Sequence, residues 1–230
     1  MSDIQPASPA PPQRESSIRM IRLLATVSLI CGLLIVGTHL NTLARIRQNQ
    51  EIIMRESVAQ LLPGIQKQVV YGIEPSGDLK ILPGVEASGP RLFAGYDGSG
   101  SLLGVVIETS DRGYADVISA MYAYSPEKQA ITGFKVVDMR ETPGLGDRIG
   151  SDRQFADNFR ALDSRFDSDK KEMAHPITVV KHGAKKNAWE IDAISGATVS
   201  SRAVGRMLQK SIQDIAPVVT RNLGRIQRGN

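Results

Sequence analysis

At 230 residues, with 41% apolar and 23% charged side chains, the chain is long enough for one well-buried domain plus appendages and too apolar for wholesale disorder. A single cysteine, Cys31, excludes an internal disulfide framework, and three scattered histidines (His39, His175, His182) lack ligand spacing, so neither a metal site nor a histidine base is expected. The net charge of +4 is no nucleic-acid footprint: residues 41–201 hold 19 Lys and Arg against 21 Asp and Glu, and the excess sits in a C-terminal stretch from Arg202 to Arg228.

Residues 1–17 carry four prolines and almost nothing to bury, which predicts a disordered lead-in. From Leu23 to Ala44 there is no Asp, Glu, Lys or Arg, and at ~1.5 Å per residue such a helix covers about 33 Å, enough for the ~30 Å hydrocarbon layer of a membrane. The run exceeds a signal-peptide core and no A-x-A site follows, so an anchor is expected rather than a cleaved leader. Arg14, Arg19 and Arg22 precede it, while Arg45, Arg47 and Arg55 beyond it are partly offset by Glu51 and Glu56, which favours an internal N-terminus. Leu43, Ile46, Ile53, Val58 and Leu61 continue at rough helical spacing up to Pro63-Gly64, as in a helix leaving the membrane and docking on a domain.

Short β-rich pieces follow: QVVYGI, RLFAGY, LLGVVIET, and then GYADVISAMYAYS and AITGFKVVDM, which read as a hairpin around Pro126–Gln129. After RETPGLGDRI a helix is expected over about 152–162, then a polar stretch (163–172), a strand at ITVVKHG, and the Trp189 segment leading into DAISGAT. Strands, hairpins and helices in this irregular order predict an α+β domain. Tyr114 is expected in the core.

Two stretches carry chemistry. Beyond Asp192-Ala193-Ile194-Ser195-Gly196-Ala197-Thr198, the residues Val199, Ala203, Val204, Met207, Leu208, Ile212 and Ile215 mark the apolar face of a helix that opens near Thr198. Its first N–H groups and dipole favour an anion, Gly196 and Ala197 let a phosphate approach the backbone, and the Thr198 hydroxyl lies within reach. Taken alone the same pattern also fits a plain N-cap. In Glu141-Thr142-Pro143-Gly144-Leu145-Gly146-Asp147 a Pro-Gly turn exposes backbone groups with Leu145 as one apolar lid, a surface suited to a flat heteroaromatic ring, or simply a connecting loop. Glu141 is either a hydrogen-bond partner for the turn or a ligand, or a solvated charge.

RETPGLGDRI together with D-x-x-S-G-A-T-x-S-S behind one membrane anchor resembles the FMN-binding domain found in the G subunit of Rnf-type ion-translocating electron-transport complexes, and shared with the C subunit of the sodium-translocating NADH:quinone oxidoreductase. The likeness covers roughly residues 20–215. It implies a single N-terminal transmembrane helix followed by one mixed α+β FMN-binding domain. It also implies FMN joined by a phosphoester to Thr198, made by a separate flavin transferase that uses Asp192, with Ser195, Gly196, Ala197, Glu141, Thr142, Gly144, Leu145 and Gly146 around the cofactor. The expected organisation is a disordered segment over 1–19, a transmembrane helix over 20–44, a connecting amphipathic helix over 45–64, the FMN-binding domain over 65–216 and a basic tail over 217–230. The expected role is an electron-carrier subunit without a substrate site of its own. It would sit in the inner membrane with its N-terminus cytoplasmic and its FMN domain periplasmic, among other membrane subunits and lipid, with no nucleic acid and no metal. A membrane-bound FMN-containing redox-sensing regulator and a cofactor-free assembly protein are the alternatives.

Overall fold

The computed structural model describes residues 14–82, 90–167 and 172–229. The described residues fall into two compact units, divided between Gln50 and Glu51, with helix α1 (Arg14–Leu61) contributing to both. The lead-in expected to be disordered over 1–19 lies outside the described residues as far as residue 13, whereas its residues 14–19 are the start of α1; residues 168–171 of the polar stretch also lie outside.

In the first unit, Ser17–Leu43 is long and apolar enough to cross a membrane, spanning about 40 Å at helical rise. Its apolar side chains stand exposed along the whole run, from Leu23 to Val36. Thr38, Asn41 and Thr42 donate back to carbonyls one turn earlier, at 2.7, 3.0 and 2.9 Å, so these polar side chains are satisfied within the helix itself. The stretches expected as a span over 20–44 and a connecting helix over 45–64 lie on this one helix as far as Leu61, with residues 62–64 forming a turn.

The second unit is a seven-stranded antiparallel sheet. Its strands are β1 (Lys67–Ile73), β2 (Leu79–Ile81), β3 (Arg91–Tyr96), β4 (Leu102–Arg112), β5 (Val117–Ser125), β6 (Ala130–Asp138) and β7 (Leu162–Asp163), in the order β2-β1-β3-β4-β5-β6-β7. Period-two alternation divides its side chains between two faces. Leu92, Ala94, Val105, Ile107, Ala120, Tyr122 and Tyr124 face a core completed by helix α3 (Thr198–Arg221), whereas Phe93, Val106, Met121 and Ala123 face Val58 and Leu62 from the end of α1. Both faces are therefore covered, and the alternation in sequence is one of partner rather than of polarity.

The helix end sits close because the sheet is trimmed beneath it. A Cβ on Gly95 would fall 2.6 Å from Leu62, and one on Gly133 would fall 3.0 Å from Leu61. On the opposite face the Tyr122 hydroxyl meets Ser211 of α3 at 2.9 Å, and burial raises the Tyr122 phenol above its ordinary pKa. Beyond α3, α4 (Leu223–Arg228) buries Ile226, whose carbonyl accepts from the Tyr96 hydroxyl, so this basic stretch is packed on the domain.

The helix expected over 152–162 is shorter, with α2 spanning only Arg153–Asp157. Asp152 caps it through the Gln154 and Phe155 N–H groups at 3.0 and 3.1 Å, but the Asn158 amide takes the Phe155 carbonyl that a continuing helix would use. The chain then turns to pair as β7. Strands β8 (Thr178–Val180) and β9 (Glu190–Asp192) form a separate parallel pair against α3, where a Cβ on Gly205 would lie 2.3 Å from Val179. The expected strands and the expected hairpin, now β5–β6, are in place, and the domain is α+β.

Candidate functional site

Strand β9 delivers Asp192, Ala193 and Ile194 to a turn that ends at α3. The Ala197 N–H bonds the Ile194 carbonyl at 3.0 Å and Gly196 adopts φ +84°, a conformation open to glycine. Ala193, Ile194 and Ala197 are buried, leaving Ser195 and Gly196 at the surface. Ser201 closes the turn from within the helix, its hydroxyl donating to the Ala197 carbonyl at 2.9 Å and accepting from the Ile194 N–H at 3.2 Å.

The N-cap is Ala197, so Thr198 is the first helical residue and the plain-cap reading of the threonine does not hold. No side chain caps the helix, and its first turn contains no acidic residue. The Thr198 side chain is half-buried, and its hydroxyl makes no hydrogen bond among the described residues. A 24-residue helix thus begins without a side-chain cap or an acidic residue of its own, beside an available hydroxyl.

The 141–146 loop lies against this turn. Glu141 is only 8% exposed. Its Oε1 accepts the Tyr114 and Ala115 N–H groups at 2.9 and 3.2 Å, and its Oε2 accepts the Ser200 hydroxyl at 2.7 Å. Of the roles open to it in the sequence, it fills that of hydrogen-bond partner to a turn rather than of a solvated charge. Gly113 and Gly146 make room for it, since a Cβ on either would fall 2.2 Å from Oε1 or 2.4 Å from Oε2. The Thr142 carbonyl accepts the Leu145 N–H at 3.2 Å, Gly144 takes φ +77°, and Leu145 is 49% exposed. Its Cδ2 comes within 3.3 Å of the position a Cβ on Gly196 would occupy. Two segments some fifty residues apart therefore meet through Glu141–Ser200 and Leu145–Gly196.

Asp192 sits on the other flank of the turn. Its Oδ2 accepts the Gly183 N–H at 3.0 Å. Asn158 accepts the Asp192 N–H at 2.9 Å and donates to its carbonyl at 3.2 Å, while Lys185 donates to Asn158 Oδ1 at 3.1 Å. Burial lowers the Lys185 pKa, opposed by the charges of Asp192 and Glu190. His182 Nδ1 lies 3.1 Å from the Ala193 carbonyl. The Asp192 Oδ1 and Asp147 Oδ1 atoms are buried without a hydrogen-bond partner.

Solvent reaches Ser195, Gly196, Thr142, Gly144 and Leu145, and reaches Thr198 in part, whereas Ala197, Glu141 and Gly146 are buried supports. Two expectations are corrected. Tyr114 is 69% exposed rather than in the core, because the β4–β5 turn that carries it is held by its backbone N–H. Val199 is 47% exposed rather than on the buried face. Sequence reasoning assigned no role to Asn158 or Gly113, for which it held no signal; Ser200 and Ser201 were visible as the pair after Thr198. A groove of about 600 Å³ lies further along α3, among Thr109, Arg206, Met207 and Asp214. A glycine-cleared surface with an apolar leucine, free backbone groups and a partnerless hydroxyl fits a flat ring on a phosphate tether.

The FMN-binding domain family matches residues 113–213, a range that contains both segments. The chain is similar to the G subunit of the ion-translocating oxidoreductase complex of Methanosarcina acetivorans, 26% identical over 204 residues covering 86% of this chain and 94% of that one. The protein of the same name in Cereibacter sphaeroides is 25% identical over 86% of this chain and 84% of its own. The G subunit of the proton-translocating ferredoxin:NAD(+) oxidoreductase complex of Clostridium ljungdahlii is 33% identical over 110 residues, about half of each chain. Among solved structures, NqrC of Shewanella oneidensis superimposes with a TM-score of 0.61 at 20% identity, covering 76% of this chain and 99% of that one, which shows a shared fold. The matched residues run from strand β5 through β9 and most of α3, with Tyr114 and Thr198 both inside the range.

Proposed function

We propose that this chain is a membrane-anchored flavoprotein subunit of an ion-translocating electron-transport complex, carrying FMN through a phosphoester to Thr198. The observation that carries the reading is the Thr198 hydroxyl, partnerless at the uncapped start of α3 with the 141–146 loop beside it. When bound, FMN supplies the electron exchange. The protein's part is to hold it. Thr198 provides the tethering oxygen, and the first-turn N–H groups and helix dipole favour the phosphoryl charge. Gly196 and Ser195 leave the approach clear, while Leu145 with the Thr142–Gly146 backbone offers an apolar face with hydrogen-bonding edges.

A threonine hydroxyl is a weak nucleophile at neutral pH. The described neighbours of Thr198 offer it no base, so a separate flavin transferase would make the ester, with Asp192 as a recognition or reaction residue. A covalent tether removes the binding entropy of a small cofactor and prevents its loss on an open surface. Ser17–Leu43 would cross the inner membrane once, N-terminus in the cytoplasm, with the flavin domain on the periplasmic side among lipid and other membrane subunits. The test is co-expression with a flavin transferase and in-gel flavin fluorescence after denaturation. Wild type is expected to fluoresce and Thr198→Val to be dark; equal signals would remove Thr198 as the attachment point.

A further inference from the structure

We infer that Arg202 is a positioning residue for the phosphodiester at Thr198, its guanidinium neutralising the charge that attachment brings to the mouth of α3; this rests on the attachment proposed above. Residues four apart share a helix face, and helical side chains lean toward the N-terminus, so the long side chain at 202 covers the turn that holds Thr198. Arg202 is exposed and makes no hydrogen bond or ion pair among the described residues. The next arginine on the same stripe, Arg206, is compensated: its Nε donates to Asp111 at 2.8 Å and its second nitrogen to the Arg112 carbonyl at 3.0 Å.

Without an anion, the Arg202 position is electrostatically poor. A cation near a helix N-terminus opposes the dipole, this first turn holds no acidic residue, and no side chain caps it. Glu141, the carboxylate that touches the turn, does so through Ser200, about 200° around the helix from Thr198, and is occupied by Tyr114, Ala115 and Ser200. A phosphodiester keeps one negative charge at neutral pH. Placed on Thr198, it would turn two unfavourable positive features into partners, the guanidinium by charge-assisted hydrogen bonds and the helix end by its dipole. The sign of the Arg202 contribution to stability should therefore reverse on flavin attachment.

The experiment measures thermal unfolding midpoints of the full-length protein, made with and without a flavin transferase, for wild type, Arg202→Gln and Arg202→Lys. Without flavin, Arg202→Gln should leave the midpoint unchanged or raise it slightly. With flavin it should lower the midpoint by roughly 2–4 °C, with most of the loss recovered in Arg202→Lys and diminished at high salt. Labelling lost in Arg202→Gln but retained in Arg202→Lys would also support the inference. Equal shifts in both forms, or no recovery by lysine, would overturn it while leaving Thr198 attachment intact. Intact masses of wild type report on attachment itself: no added FMN in the presence of the transferase would overturn both readings together.

Discussion

Replacing Glu141 tests whether the two motifs are held together by the carboxylate the structure places between them. In Glu141→Ala three donors lose their acceptor: the Tyr114 and Ala115 N–H groups and the Ser200 hydroxyl. The two N–H groups belong to exposed residues and can be rehydrated, so their loss is expected to cost little beyond the ~0.5–1.5 kcal/mol of an ordinary hydrogen bond. Ser200 is 1% exposed and has no such recourse, which adds about 1–3 kcal/mol for an unsatisfied buried hydroxyl. The space left by the side chain adds more, giving a total of about 3–5 kcal/mol. Glu141→Gln keeps an acceptor for the turn and presents an amide to a hydroxyl that can rotate to accept, so only the charge assistance is lost, about 1 kcal/mol. Denaturant unfolding of the flavin-free protein, followed by the single tryptophan, Trp189, measures both. An alanine variant within about 0.5 kcal/mol of wild type, a surface-like value, or a glutamine variant as unstable as the alanine one, would refute the clamp.

Gly113→Ala should destabilise by a comparable route, because its Cβ would fall 2.2 Å from Glu141 Oε1, and thermal melts will show whether it does. Gly196→Ala forces a side chain onto φ +84° against Leu145, for a loss of about 1 kcal/mol and a lower flavin-labelled fraction on gels. Leu62→Ala, which empties the contact over Gly95, should cost ~2–5 kcal/mol in denaturant melts without preventing labelling of the folded fraction. The Glu190 pKa is held below its ordinary value, first by the Lys186 N–H at 2.7 Å and then by the Asn187 N–H at 2.9 Å. That lowering stabilises the fold fully above the unfolded pKa of about 4.3 and is lost as pH falls through the folded value. Glu190→Gln should therefore flatten the acid limb of the stability profile and leave its slope near neutrality unchanged.

The sheet and α3 were legible because their patterns are long. Val105 to Ile107 and Ala120 to Tyr124 read as strands whichever face each residue uses, and the i, i+4 recurrence from Ala203 to Ile215 admits one burial direction. The two candidate segments stood out because both are compact runs rich in glycine and small residues, and the structure brings them together through Glu141–Ser200 and Leu145–Gly196. What escaped depended on distant partners. Asn158 ends its helix by taking the Phe155 carbonyl and steadies Asp192, 34 residues on, which no local pattern encodes. Tyr114 was expected in the core, yet the feature that holds its turn is a backbone bond to a carboxylate 27 residues later. Val199 matched the apolar spacing, but in the first turn of α3 the buried positions are Ser200 and Ser201, and Val199 stays 47% exposed.

The central claim is that Thr198 carries the cofactor, and peptide mass analysis of protein from its native membrane tests it most directly. Trypsin should release residues 187–202, bounded by Lys186 and Arg202, as one peptide that contains Ser195, Thr198, Ser200 and Ser201. The account predicts that peptide heavier by one FMN less one water, with fragment ions assigning the addition to Thr198. The peptide at its unmodified mass throughout, or an addition on one of the three serines, would contradict it.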